Sequence, residues 1–281
     1  MKQTDIFHYR LPERIRSVHV GAHKGLQQGM GMEFQTHAPL WRLPEPKRID
    51  IRASLCNPMQ EILVRVFRQK ASIPVVAVTD LSASLGNRMK LEWVTQFTRV
   101  LGQSVTKTGD RFGFIGCDEN ILPDFFHPPA KTQDAASVIS QRLKNFIPAG
   151  RHSHGLLKAS YHLRRSSLVF LVSDFYFDAG LLNKLLASLS RHFVVPVVLA
   201  EFQDSFISGR YGVGHLKDAE TGQLRFVIWR PALRRRLEQK KQRHIQRLTT
   251  IFQQHGVKPL IIKNQFKAGD ITDYFFPSGN A

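Results

Sequence analysis

Three oxygen-bearing side chains, Asp80, Ser82 and Ser84, stand on alternate residues just behind the apolar run Ile73-Pro74-Val75-Val76-Ala77-Val78. One carboxylate and two hydroxyls, with no nitrogen or sulfur among them, make a donor set for a hard cation. Mg²⁺ takes such oxygens in octahedral geometry and keeps several of its waters, and Mn²⁺ accepts the same set. The run ahead of them is rich in β-branched residues and free of charge, as in a strand buried on both faces of a parallel sheet. The polar group then falls at the strand's carboxyl end, where open α/β sheets bind ligands. A second apolar run, Leu168-Val169-Phe170-Leu171-Val172, ends the same way in Ser173-Asp174. Asp and Ser also cap helices, so Asp80 and Ser82 have a second reading as caps of the helix that follows.

Two further groups invite a chemical reading. His152-Ser153-His154 pairs a hydroxyl with two imidazoles, residues that serve as bases and metal ligands. No acid at suitable spacing orients either ring, and no G-x-S-x-G elbow is present to support a hydrolase. Arg234, Arg235, Lys240, Lys241 and Arg243 lie on one side of a long helical pattern. They read either as a solvated face or as a partner-binding surface for nucleic acid or an anionic membrane. No aromatic residue interleaves that row, so base stacking is not indicated.

The elements that position these residues follow from periodicity. Residues 1–70 read as an N-terminal extension of loops and short strands. Gly21, Gly25, Gly29 and Gly31, followed by Pro39, Pro44 and Pro46, exclude a long helix there. Glu61 to Gln69 alternates in part and reads as an edge-type strand leading into the buried one. From residue 71 to 281 strand and helix alternate. Helices are expected at 88–106, 133–146, 154–163, 181–191 and 231–255, and strands at 111–117, 168–172, 193–200 and 259–262. Pro123, Pro128 and Pro129 read as a loop. Pro196 calls for a bulge or an edge position in its strand, and 214–229 reads as a hairpin turning at Asp218–Gly222. The whole implies one α/β domain with a doubly wound, mostly parallel sheet.

Composition narrows the partners. The 281 residues are 42% hydrophobic, enough for a full core, and carry a formal net charge of +18. Acidic proteins, nucleic acid and anionic lipid are therefore the favoured classes of partner. Cys56 and Cys117 belong to no disulfide framework or thiolate zinc motif, the first residues are polar and charged, and no stretch is long and apolar enough to span a bilayer. The expectation is a soluble cytoplasmic protein.

The D-x-S-x-S spacing of Asp80, Ser82 and Ser84 resembles the metal-ion-dependent adhesion site of von Willebrand factor A-like domains, with Asp174 in the place of that site's later aspartate. Gly29-Met30-Gly31-Met32-Glu33-Phe34, Arg48-Ile49-Asp50-Ile51-Arg52-Ala53-Ser54, Val64-Arg65-Val66-Phe67, Gly109-Asp110-Arg111-Phe112-Gly113 and Val172-Ser173-Asp174-Phe175 are similar, in order, to motifs of the bacterial domain of unknown function 58 family. That resemblance covers nearly the whole chain. It implies a von Willebrand factor A-like, Rossmann-like fold, with Ser82 and Ser84 coordinating Mg²⁺ directly and Asp80 holding a metal-bound water. The family's threonine ligand falls in Pro148–Gly155, which holds no threonine. Either Ser153 supplies the hydroxyl from a slightly shifted position or the site is one ligand short. Pro44-Glu45-Pro46 also replaces the family's glycine-acidic lead-in, and the transmembrane helices that precede this region in many members are not expected here.

The resemblance further implies a non-enzymatic adaptor working beside a MoxR-type AAA+ ATPase, or another acidic protein, in complex assembly or activation. A phosphoryl-transfer enzyme of the haloacid dehalogenase type would need an aspartate two residues after Asp80, where Ser82 stands, and a hydroxyl is a poor acid and base at neutral pH. Nucleic-acid binding rests on charge alone.

Overall fold

The structure, a computed structural model, describes residues 6–10, 20–86, 88–150, 152–200, 212–217, 224–229, 231–263 and 265–277. Two units make up the chain: Arg10–Ile73 with Thr108–Asp110, and Met1–Tyr9 with Pro74–Lys107 and Arg111–Ala281. In the smaller unit, β1 (Val20–Pro39), α1 (Ile51–Leu55) and β2 (Leu63–Ala71) surround one anchoring carboxylate. Asp50 accepts from the Ala53 amide at 3.1 Å, so capping α1, and pairs with the Arg65 guanidinium at 2.7 Å. Arg65 chiefly, then the Ala53 amide and His37, hold the Asp50 carboxyl well below the usual carboxylate range.

The glycine-rich stretch expected to be loops and short strands holds one long strand of 20 residues, paired antiparallel with β2 through repeated register shifts. Glycines forbid a helix there, but they tolerate the irregular backbone that such shifts demand. β1 and β2 form a two-stranded sheet, and Val64 of β2 also makes an isolated antiparallel bridge with Ile49.

The larger unit holds the main sheet. Its elements are β3 (Pro74–Asp80), α2 (Arg88–Thr108), β4 (Arg111–Cys117), β5 (Ile121–Ala130), α3 (Ala135–Lys144), α4 (Gly155–Ala159), β6 (Leu168–Ser173), α5 (Ala179–Ser188), β7 (Phe193–Leu199), β8 (Gly212–Lys217), β9 (Leu224–Trp229), α6 (Pro231–Gln254), β10 (Leu260–Ile262) and α7 (Ala268–Phe275). The six-stranded sheet runs β10-β7-β6-β3-β4-β5. All its pairings are parallel except β4 with β5. This is the doubly wound, mostly parallel sheet expected from the alternation of elements.

Period-two alternation sends side chains to both faces. On one face Val76, Val78, Ile115, Val169 and Leu171 pack with Leu182, Leu186, Leu248 and Phe252 of α5 and α6. On the other, Phe170 meets Phe97 of α2 at 5.5 Å, Phe7 at 6.0 Å and Phe275 of α7 at 6.3 Å. α2 and α3 approach so closely that a Cβ at Gly102 would lie 2.0 Å from that of Ala136.

Proline misleads at one place and is half right at another. The segment holding Pro123, Pro128 and Pro129 is not a loop but β5, the antiparallel edge strand, whose outer side needs no amide donors. Pro196 sits in β7 with no bulge, because the register with β6 runs unbroken from Phe193 to Val198. β10 begins to pair only at Val197, so at Pro196 the strand is locally an edge. β8 and β9 form the expected hairpin, whose turn residues 218–222 lie outside the described residues. Among the described residues no helix is long and apolar enough to cross a membrane.

Phe170 is fully buried at the centre of the sheet with three aromatic neighbours. Phe170→Ala should destabilise the larger unit by about 3–5 kcal/mol, measured by denaturant unfolding. A loss below about 1 kcal/mol would mean that this face is not the tightly packed layer described.

Candidate functional site

β3 and β6 are neighbours in parallel register, Thr79 opposite Val172, so their carboxyl ends deliver Asp80, Ser173 and Asp174 to one edge of the sheet. After Asp80 the chain turns through Ser82 into a short 3-10 turn, Ala83–Leu85. The Ala83 amide donates to the Gly150 carbonyl at 2.7 Å, tying the 148–154 loop to that turn. The same loop is held at its far end by the Gly155 amide on the Asp118 carbonyl at 2.9 Å. A Cβ at Gly155 would stand 2.6 Å from the Asn120 carbonyl oxygen, so only glycine allows this approach. Ser153 is thereby carried over the end of β3.

Hydroxyls surround the first acid. Asp80 accepts at Oδ2 from Ser153 Oγ at 2.8 Å and Ser173 Oγ at 2.9 Å, and at Oδ1 from the Ser82 amide at 3.0 Å. Ser82 Oγ lies 3.1 Å from Ser84 Oγ and 3.4 Å from Ser153 Oγ. Ser84 Oγ donates to Asp174 Oδ1 at 3.3 Å. Asp80, Ser82, Ser84, Ser153 and Asp174 thus form one connected cluster, and the hydroxyl nearest the missing threonine's place is within reach of the first aspartate. The capping alternative holds only in part: the Asp80 carboxylate does take the Ser82 amide, but the Ser82 hydroxyl caps nothing and faces the cluster.

Both carboxylates are buried, Asp80 at 0% and Asp174 at 2% exposure. Burial, and then repulsion from Asp174, push the Asp80 carboxyl above its ordinary value against the hydrogen bonds that favour its ionised form. The second acid has a counter-ion: Lys90 Nζ, in the first turn of α2, lies 2.7 Å from Asp174 Oδ2 and 3.3 Å from the Ser84 carbonyl. The ammonium pairs with Asp174, while Asp80 is held by hydroxyl and amide donors. Among the described residues no group of three His, Cys, Asp or Glu that could hold a metal ion is present; the oxygens gathered here are serine hydroxyls and a carboxylate pair, the kind of donor that Mg²⁺ or Mn²⁺ takes. The residues present fit such an ion.

Four residues of this neighbourhood escaped the pattern reading as site members. Ser173 both donates to Asp80 and accepts from the Phe175 amide at 2.9 Å. Its signal was its place beside Asp174 at a strand end. Lys90 carried no signal beyond helical spacing. Tyr176 stacks on His244 of α6 with ring centroids 4.0 Å apart, and His244 Nε2 lies 3.1 Å from the Asp174 carbonyl; nothing in 70 residues of separation announces that contact. Between them Phe175 adopts a φ of +56°, a left-handed conformation that a bulky residue rarely takes. Its ring, buried against Phe252 at 5.3 Å, holds the turn that aims Asp174.

A cavity of about 480 Å³ opens over the cluster, walled also by His152, His154 and Lys184. The two imidazoles lie 5.6 Å apart, and no carboxylate bonds either among the described residues. The basic residues of α6 are elsewhere: Arg235, Lys240 and Arg243 are exposed and Lys241 is half-buried, while the side chain of Arg234 lies outside the described residues. Both cysteines are free, Cys56 exposed and Cys117 buried.

Residues 48–247 match the family described as "Protein of unknown function DUF58". Among solved structures, BatB from Bacteroides thetaiotaomicron is similar at 10% identity and a TM-score of 0.47, over 72% of this chain and 98% of its own. An aerotolerance-related membrane protein from Bacteroides fragilis follows at 10% identity and 0.46, over 73% and 97%. A von Willebrand factor type A protein from Catenulispora acidiphila aligns at 15% identity and 0.36, over 48% and 35%. Similarity at this level reaches neither ligand nor activity. No curated protein matches the chain.

The raised Asp80 value has a defined sign. The neutral carboxyl is favoured in the fold, so this contribution to stability is full below the ordinary value of 3.8 and is lost as pH rises through the folded value. Asp80→Asn keeps the shape, and the hydroxyls around it can rotate to suit an amide. In EDTA it should melt above the wild type near about pH 8, with the gap closing as pH falls to about 4. A mutant that melts lower throughout would mean that the ionised carboxylate stabilises the cation-free fold.

Proposed function

We propose that this chain, which belongs to the DUF58 family, is a non-enzymatic protein-interaction adaptor with a Mg²⁺-dependent adhesion-type site at the carboxyl ends of β3 and β6. The observation that carries the reading is the buried pair Asp80 and Asp174, joined through the hydroxyls of Ser82, Ser84 and Ser153, with the ammonium of Lys90 paired to Asp174. Ser82 and Ser84 would hold Mg²⁺, or Mn²⁺ in its place, with Asp80 and Asp174 around it and Ser153 standing in for the family's threonine. When bound, the ion supplies a strong local positive charge with a coordination position open to a carboxylate.

The chain's own residues do the rest. Asp80 is held in place by three hydrogen bonds, so its orientation does not wait on a ligand. Ser82 and Ser84 face the cavity, through which an acidic side chain of a partner reaches the cluster. Lys184 on the cavity wall adds a positive charge, and the wall's further carboxylate, Asp178, is engaged in capping α5 through the Gly180 and Leu181 amides. The net charge of +18 favours acidic surfaces over the longer range. The partner this reading assigns is a MoxR-type AAA+ ATPase, and the outcome is assembly or activation of a complex.

Binding of such an ATPase to the immobilised chain should require Mg²⁺, fall away in EDTA, and be lost in Asp80→Ala and Ser82→Ala. Equal retention by both variants with and without Mg²⁺ would end the metal-bridge reading. Lys90 gives a second measurement, because its ammonium and a divalent ion neutralise the same carboxylate. Lys90→Met should bind Mn²⁺ about tenfold more tightly, a gain of about 1.4 kcal/mol by titration calorimetry. The metal-free protein should lose about 3–5 kcal/mol, the usual effect of breaking a buried ion pair. Unchanged Mn²⁺ affinity would show that Lys90 and the ion do not compete.

A further inference from the structure

A second cavity lies at the opposite end of the same sheet. It is bounded by the amino ends of β3, β4 and β6, by the later half of β5 and by the 161–167 segment, and it encloses about 510 Å³. β3 is seven residues long, so the length of a strand, about 20 Å, separates this cavity from the Asp80 cluster. The two sites share no lining residue.

Its chemistry is the inverse of the first. Arg111, Arg164 and Arg165 line it together with His162, and no Asp or Glu does. None of the three arginines forms an ion pair among the described residues. Arg111, the first residue of β4, is the deepest placed: its Nε is buried and has no hydrogen-bond partner. A buried donor left unpaired destabilises the fold, and more so when it is charged. Such a cost persists where an acceptor arrives from outside. Three arginines on one cavity with no carboxylate in its lining leave an excess of positive charge that a bound anion would relieve.

We propose that this cavity binds the phosphate groups of a small organic phosphate of nucleotide size. Guanidinium forks match phosphate oxygens in pairs, a geometry that a lysine ammonium lacks. The volume falls within the range of small-molecule sites, far above what a single water needs. The remaining walls are apolar and ring-bearing. Phe126 packs edge-on against His162 at 5.0 Å, and Tyr161 is 82% exposed, an unusual place for a large aromatic ring. These walls offer a planar body its stacking surface while the arginines hold its phosphates.

The full chain, kept in EDTA so that no cation at the other end contributes, is titrated calorimetrically with ADP, pyrophosphate and adenosine at physiological salt. ADP should bind saturably. Arg111→Gln and Arg164→Gln should each weaken it at least about tenfold, the loss of about 1.4 kcal/mol. Arg235→Gln, which removes one positive charge from α6, should leave it unchanged. Arg164 is exposed, so its variant decides the matter even if Arg111→Gln does not fold. Pyrophosphate should bind and adenosine should not. Absence of saturable ADP binding, adenosine binding as tightly as ADP, or equal weakening by Arg235→Gln would each overturn the assignment.

Discussion

The parallel pairing of β3 with β6 at the centre of the sheet is the constraint on which the rest depends. Val75 to Thr79 lie opposite Leu168 to Val172 with no slip, and a shift by one residue would send every side chain of the strand to the opposite face. The unbroken register does two things at once. It divides the apolar side chains between two helical layers, and it ends both strands at the same edge with an acid. The burial that stabilises the strands is therefore the same burial that raises the cost of charge at their tips.

That cost is met in stages by the residues around the tips. Hydrogen bonds from Ser153, Ser173 and the Ser82 amide satisfy Asp80 as an acceptor. Lys90 neutralises Asp174. What is left over is a second acid, Asp80, with no cation paired to it among the described residues, in a buried cluster open to a cavity. Serine hydroxyls suit this place because they can turn to donate to a carboxylate or to present a lone pair to a cation. The strained φ of Phe175 belongs to the same economy: left-handed backbone in a bulky residue persists only where packing fixes it, here against Phe252.

The opposite edge of the sheet follows a different logic. Strands β3 and β4 begin at Pro74 and Arg111, side by side in register, and β5 lies antiparallel beside β4 as the sheet's outer strand. Prolines on that strand leave few amides to satisfy there, and the space beside them is lined by guanidinium groups rather than by paired acids. Opposite charge at the two ends of one sheet is a consequence of which residues happen to open and close its strands.

Much of this is legible in the residues alone. Uninterrupted β-branched runs announced β3, β6 and β7. Helical spacing of Trp93, Phe97 and Leu101 announced α2, and D-x-S-x-S with a later Ser-Asp marked Asp80, Ser82, Ser84 and Asp174. Local pattern suffices in each case because the burial on two faces, or on one stripe, is written in consecutive positions. Proline and glycine were harder to place, since their meaning depends on whether a neighbour needs the missing donor. β5 and Pro196 were decided by an edge that only the assembled sheet possesses, and β1 by a partner strand that tolerates irregular register. The reach of Ser153 to Asp80 was settled by the tether between Ala83 and Gly150. Lys90 on Asp174 and His244 on Tyr176 came from packing of α2 and α6 onto the sheet. Lys90 lies 84 positions from Asp174, and His244 lies 70 positions from Asp174, whose carbonyl it also meets; no periodicity within a single element carries information about which side chain another element will bring.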